Sequence, residues 1–179
     1  DVCSSDLFGV SLLRGARNFA GDVRSNHGFP TQTDRSAFTV GEDLAVTPGS
    51  VVFRNEVIEL IQYAPSTETV HERPLLIVPP PIGRFYFLDL RPGRSFVEYA
   101  VSRGLTVFMI SWRNPTPEQR DWDADDYAGS ILEAIDVVTE ITGSEDVNSL
   151  GFCAGGILQT LVLNHMATRS EEHTSELQS

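Results

Sequence analysis

One cysteine lies in a pattern of residue types that could build a reactive thiol. Cys153 is flanked by Gly151 and Gly155 in the segment Gly-Phe-Cys-Ala-Gly. A nucleophile elbow has this spacing, usually with Ser at its centre, because a strand must turn sharply into a helix there. The positive end of that helix favours a thiolate over a thiol. The pattern predicts that Cys153 is a nucleophile; the alternative is a small cysteine packed between two glycines.

A nucleophile of this kind attacks a carbonyl, and the oxyanion that forms needs hydrogen-bond donors. In an elbow, one donor is the amide of the residue after the nucleophile, here Ala154. The second comes from the loop after an earlier strand, here Pro79–Gly83. Because prolines have no N–H, Ile82 is the first residue of this loop that can donate. We expect Ile82 to be the second donor; the alternative is a rigid proline loop with the donor elsewhere.

The base that such a nucleophile requires is not evident in this stretch. In hydrolase-type elbows the acid and the histidine follow the nucleophile in chain order. His165 lies twelve residues after Cys153, about 18 Å along the predicted helix, which is too far. His71 precedes the elbow and is interpreted as a surface or capping residue. We expect the triad Asp and His to be missing here.

The elements around the elbow alternate between strands and helices. Apolar β-branched runs predict strands, whereas the helical period, acidic caps and terminal glycines predict helices. The expected order is helix 12–19, hairpin 51–54 with 57–63, strand 74–79, helix 95–103, strand 105–111, a long helix from the acidic stretch 121–126 to Gly143, strand 147–152 and helix 157–166. The long helix should bury Ile131, Ile135, Val138 and Ile141. This alternation predicts an α/β fold with a parallel sheet, in two parts: an arm at 8–50 and a catalytic domain at 51–168.

The composition excludes several classes of protein. The chain has 179 residues, a formal charge of −12, and 41% hydrophobic residues. Its acidic charge and scattered arginines exclude a nucleic-acid footprint, and no apolar run is long enough to span a membrane. The acidic stretch 121–126 lacks the glycine and glutamate spacing of a calcium loop. We expect neither a metal nor a permanently bound cofactor.

Both termini have sequences that translated sequencing-adapter DNA would give. Residues 1–7 and 169–179 can be back-translated into two mutually complementary DNA strings. Such segments are set aside before the fold is considered. Without them Cys153 is the one cysteine, so no internal disulfide is expected.

Several motifs, in order, resemble the polyhydroxyalkanoate synthases, most of all classes I and II. The similarity covers nearly all of residues 8–168 and is carried by residues 51–63, 72–80, 85–90, 107–115 and 151–156. The resemblance implies an α/β-hydrolase-like sheet, incomplete here because it stops after the elbow and its helix. It also implies a role for Asp89, which matches a Leu-Asp-Leu carboxylate near the family's active site; the alternative is that Asp89 caps a turn.

The resemblance implies an acyltransferase that moves 3-hydroxyacyl groups from coenzyme A onto Cys153 and extends a polyester. The coenzyme A thioester would be the substrate. The implied partners are the growing polymer and its granule surface, with a homodimer at full length and a cytoplasmic location at granules. Two alternatives stay open: a cysteine-dependent thioesterase or lactone hydrolase, and an inactive truncated relic.

Overall fold

The computed structural model describes residues 9–30 and 37–176. Residues 1–7 lie outside the described residues, as do 177–179, and the adapter origin of both ends stays a prediction. The chain divides into two compact units, residues 1–39 and 40–179. The first contains helix α1 (Val10–Ser25), which is longer at both ends than the predicted helix. The second contains the sheet and the elbow.

The second unit is built on a mixed sheet of five strands among the described residues. They are β1 (Gly49–Arg54), β2 (Ile58–Tyr63), β3 (Leu75–Val78), β4 (Val107–Trp112) and β5 (Asn148–Gly151). Their order is β1-β2-β4-β3-β5. The predicted hairpin β1–β2 joins the sheet antiparallel to β4, while β3 runs parallel to both β4 and β5. The α/β class is confirmed, with a sheet that is mixed rather than wholly parallel.

Three helices follow strands of this sheet: α2 (Phe96–Ser102), α3 (Ala124–Thr142) and α4 (Ala154–Glu176). Asp123 caps α3, and its side chain accepts from the amides of Asp125 and Asp126, as the acidic stretch predicts. Gly143 ends α3 in the left-handed conformation that glycine adopts without strain. Short 3₁₀ turns lie at Phe85–Leu88 and Pro117–Gln119.

The strand sequences alternate between two apolar layers. Leu76, Val78, Phe108 and Ile110 face the layer that also contains residues of α3 and α4. Ile77, Val107 and Met109 face the opposite layer, which contains residues of α2. Crossovers between parallel strands are right-handed as a rule. Because the chain steps from β3 to β4 in one direction and from β4 across β3 to β5 in the other, the connecting helices α2 and α3 pack on opposite faces of the sheet.

Some predicted boundaries were wrong. Strand β4 begins at Val107 rather than at Leu105, because the Leu105 amide donates to Ala100 O and closes the end of α2. Ile141 was expected in the core but is 44% exposed, since it lies in the last turn of α3, just before Gly143. Helix α4 begins at Ala154, three residues earlier than expected, directly after the elbow.

Candidate active site

Cys153 occupies the turn between β5 and α4 with a backbone φ of 52°. This left-handed conformation is rare for a residue other than glycine, and it costs on the order of 1–3 kcal/mol. Strain of this kind is concentrated at functional sites. The Cys153 side chain is exposed, so the alternative of a cysteine buried for packing does not hold.

The two elbow glycines are both required by close contacts. A Cβ added at Gly151 would overlap Gln159 Oε1 and lie 2.6 Å from Gly156 Cα. A Cβ added at Gly155 would overlap Val78 O and lie 2.6 Å from Pro79 O. The expected glycine requirement at 151 and 155 is therefore seen in the geometry, and at Gly155 its cause is the end of β3.

The first turn of α4 leaves one amide available beside the thiol. Gly155 N donates to Phe152 O at 2.8 Å, while Gly156 N and Ile157 N donate to Cys153 O at 3.0 and 3.3 Å. Within residues 9–30 and 37–176, the amide of Ala154 donates to no acceptor. An unpaired amide directly after the nucleophile is the arrangement that an oxyanion hole needs, although the role of Ala154 stays a prediction.

The proline loop that carries Ile82 lies against this elbow. Phe152 N donates to Val78 O at 3.1 Å, and the last residue of β3, Val78, pairs with Gly151. The loop then closes a turn in which Gly83 N donates to Pro80 O at 2.9 Å. The structure thus brings the predicted loop beside the elbow.

Within that turn Ile82 is 90% exposed, and among the described residues its amide has no acceptor. An amide without an acceptor is available for an oxyanion. Whether it faces the carbonyl that Cys153 attacks stays a prediction.

Asp89 has a clear structural role. It is 1% exposed, and its Oδ1 accepts a 2.6 Å hydrogen bond from Thr47 Oγ1 while Oδ2 accepts from Thr47 N at 3.2 Å. Its backbone carbonyl accepts from Ala45 N at 2.8 Å. The carboxylate therefore holds Thr47 and the backbone carbonyl holds Ala45, so Asp89 has a structural role in these long-range contacts. Its catalytic role stays a prediction.

Burial raises the pKa of Tyr63 above its ordinary value of 10.0, and the negative charge of Asp89 raises this pKa further. The Tyr63 hydroxyl is buried and has no hydrogen-bond partner among the described residues. This pair has no sequence signal, because Tyr63 has the pattern of an ordinary strand residue.

The described histidines of the second unit lie away from the thiol. His71 donates its amide to Gly104 O ahead of the amino end of β3, whereas Cys153 follows the carboxyl end of the parallel strand β5. His165 lies far along α4, as expected. No cluster of three or more His, Cys, Asp or Glu in the described ranges could hold a metal ion. No described helix is both long and apolar enough to cross a membrane.

Comparison with known proteins gives a consistent result. Residues 4–100 match the family model described as the N-terminus of poly-beta-hydroxybutyrate polymerase (PhaC). The chain is 48% identical over 169 residues to poly(3-hydroxyalkanoate) polymerase 1 of Ectopseudomonas oleovorans, covering 94% of this chain and 30% of that protein. It is 50% identical over 162 residues to the Methylorubrum extorquens polymerase, covering 89% of this chain and 27% of that protein.

The polymerase subunit of Cupriavidus necator is 46% identical over 164 residues, which cover 91% of this chain and 28% of that protein. The chain therefore spans about 30% of the length of the curated relatives that it matches.

Proposed function

The chain belongs to the poly-beta-hydroxybutyrate polymerase N-terminus family, and on that premise we propose that it forms the nucleophile-bearing part of an acyltransferase that polymerises 3-hydroxyacyl groups from coenzyme A. The observation that carries the proposal is the exposed Cys153 in a left-handed turn between β5 and α4. The names of the relatives supply the product class, a poly(3-hydroxyalkanoate).

The fold supports an α/β-hydrolase-like assignment, which is part of this proposal. An antiparallel hairpin is followed by parallel strands in the order β1-β2-β4-β3-β5. Ligands of open α/β sheets bind outside the carboxyl ends of the strands. Cys153 and the proline loop both follow such ends, at β5 and β3. A reaction at this edge would use both.

The chemistry would run in two acyl transfers. The Cys153 thiolate attacks the thioester carbonyl of a 3-hydroxyacyl-coenzyme A, and the negative charge moves onto the carbonyl oxygen. The amides of Ala154 and Ile82 would donate to that oxygen. When the intermediate collapses, the bond to coenzyme A sulfur breaks, coenzyme A leaves as a thiol after protonation, and the acyl group stays on Cys153.

In the second transfer, a 3-hydroxyl group attacks the Cys153 thioester, loses its proton to a base and forms an ester. The thiol is released for another cycle. Exchange between two thioesters is nearly energy-neutral, so the bound acyl group keeps its reactivity. A histidine held by a carboxylate would act as the base; we propose that residues outside 8–168 supply both.

The partners and the location follow from the same proposal. The growing polyester would remain at the site, so a granule surface in the cytoplasm would be the working environment. A homodimer at full length belongs to the same hypothesis.

The proposal is tested on the protein encoded by the complete reading frame that contains this chain, called here the complete gene product. Incubation with 3-hydroxybutyryl-coenzyme A should release free coenzyme A and accumulate polymer, both measured by chromatography. Cys153→Ala should abolish both products without unfolding the protein, because it removes the sulfur and keeps a small residue at the turn.

Other outcomes identify the alternatives. Release of coenzyme A with a free 3-hydroxy acid and no polymer would indicate a thioesterase. Full activity of Cys153→Ala would show that this thiol is not the nucleophile. A stop codon directly after Thr168 would indicate a relic that carries a nucleophile and no base.

A further inference from the structure

The carbonyl group of Pro79 is held by a side chain from a neighbouring strand. Trp112 is the last residue of β4, and its indole Nε1 donates a 2.7 Å hydrogen bond to Pro79 O. Pro79 is buried, and it is the first residue of the loop that carries Ile82. The contact joins residues 33 positions apart in the chain. It connects the end of β4 to the beginning of the proposed oxyanion loop.

This loop has few ways to be held in place. Pro79, Pro80 and Pro81 have no amide hydrogen, so the loop can be fixed over these residues only through carbonyl oxygens and packing. Pro80 O is used inside the loop, where it accepts from Gly83 N. The Pro79 carbonyl is therefore the hydrogen-bonding group that ties the proline run to another element among the described residues.

The indole ring is itself fixed by aromatic neighbours. Its centroid lies 5.4 Å from that of Tyr127 on α3, with the rings tilted by 54°. Tyr127 in turn meets Trp122 edge to face at 6.2 Å. Packing of this kind restricts the rotation of the indole, so its N–H keeps one direction.

The other side of the Pro79 carbonyl meets the elbow. Its oxygen would lie 2.6 Å from a Cβ added at Gly155, in the first turn of α4. The carbonyl is thus held between the indole of β4 and the backbone beside the nucleophile. Because each proline ring fixes φ, few free torsions separate this peptide group from Ile82, so a change in its direction shifts the Ile82 amide.

We propose that Trp112 is a positioning residue for the acyl-transfer step, acting through Pro79 on the loop that carries the Ile82 amide. This inference rests on the proposed function. The indole would not touch the substrate. It would set the distance between an oxyanion donor and Cys153, and a misplacement of about 1 Å in such an arrangement costs on the order of a hundredfold in rate.

The test compares Trp112→Phe with Trp122→Phe in the complete gene product. The control belongs to the same aromatic cluster and keeps a ring beside Tyr127, whereas the indole that donates to Pro79 O is that of Trp112. Two rates are measured on each protein. One is coenzyme A release from 3-hydroxybutyryl-coenzyme A in a single turnover, and the other is alkylation of Cys153 by iodoacetamide, followed by mass spectrometry of its peptide.

Alkylation forms no oxyanion, so the two rates separate positioning from general damage. We expect Trp112→Phe to slow coenzyme A release by about ten- to a hundredfold with alkylation within about twofold of the wild type. We expect Trp122→Phe to change neither rate. An equal loss in both rates of Trp112→Phe, or no loss of coenzyme A release, would overturn the inference.

A second variant covers the case in which Trp112→Phe does not fold. Replacement of Trp112 by 3-benzothienylalanine keeps the shape of the bicyclic ring and removes only the N–H. The same selective loss of coenzyme A release supports the inference, whereas wild-type release refutes it. If the wild-type protein itself releases no coenzyme A, the proposed function fails and this inference falls with it.

Discussion

The substitution Gly155→Ala should push the start of the proline loop away from the elbow that it contacts. Gly155 is buried in the first turn of α4. A methyl group there would overlap Val78 O and lie 2.6 Å from Pro79 O, although real Cβ atoms essentially never approach closer than 3.0 Å. Both neighbours are backbone atoms, so no side chain can simply rotate away. Pro79 O must therefore retreat by at least about 0.4 Å, and Val78 O by more.

Two opposing terms determine the stability of this variant. Overpacking of this kind costs about 1–3 kcal/mol, whereas alanine is favoured over glycine in a helix by about 1 kcal/mol. We expect the free energy of unfolding to fall by about 0–2 kcal/mol. Activity should fall much further, by about ten- to a hundredfold, because the displaced atoms begin the loop that carries the Ile82 amide.

The assay is urea unfolding of the complete gene product together with coenzyme A release at a temperature where every variant is folded. Gly156→Ala is the matched control, since its added Cβ would lie 3.3 Å from Gly151 O, a contact that small shifts can relieve. Wild-type release by Gly155→Ala would refute the packing of the loop on the elbow. Equal losses in both variants would point to the helix itself.

Three other substitutions give further tests. Tyr63→Phe removes a buried hydroxyl that has no partner among the described residues, so we expect a free energy of unfolding equal to or higher than that of the wild type. Because folding raises the pKa of Tyr63, the unfolded state ionises first, and above pH 10 the wild type should lose up to about 1.4 kcal/mol per pH unit relative to the variant in urea titrations. Asp89→Ala should lower the free energy of unfolding by about 1–3 kcal/mol, because it leaves Thr47 without its acceptor. Coenzyme A release should fall only in proportion to the unfolded fraction, whereas loss of activity in folded protein would indicate that the carboxylate is catalytic. A Cβ added at Gly129 in α3 would have no atom within 4 Å, so Gly129→Ala should raise the free energy of unfolding, measured by thermal denaturation, by about 1 kcal/mol. A lower free energy of unfolding would show that this position is not an open helix surface.

The elements that the sequence predicts well are those whose signals are local. The β3 strand is an apolar run bounded by prolines, and Pro79 ends it because a proline cannot donate to the ladder. The capping box between Asp123 and Asp126 lies within four residues and fixes the start of α3. At the elbow, the two glycines and the central cysteine lie within five positions and determine the geometry of the turn. In each case the residues that interact are close in the chain.

The features that could not be predicted depend on residues far apart in the chain. Thr47 reads as an ordinary loop residue until the fold places it 2.6 Å from Asp89, 42 positions later. The Trp112 contact had only a partial sequence signal. Three consecutive prolines leave a loop without donors, so a donor-only indole at a neighbouring strand end is a reasonable partner.

The contrast between local and long-range contacts also explains which parts of the site depend on one another. The strain at Cys153 persists because several contacts fix the turn: β5 pairs with β3, Phe152 donates to Val78 O, and Gly155 packs against the start of the proline loop. All of these contacts join residues between 75 and 157. The nucleophile and the two candidate oxyanion donors therefore depend on one set of packed strand ends, whereas the proposed base needs only to reach the exposed thiol from another element. A substitution that loosens the strand ends should reduce acyl transfer even with the base intact, and loss of the base should leave alkylation of Cys153 possible.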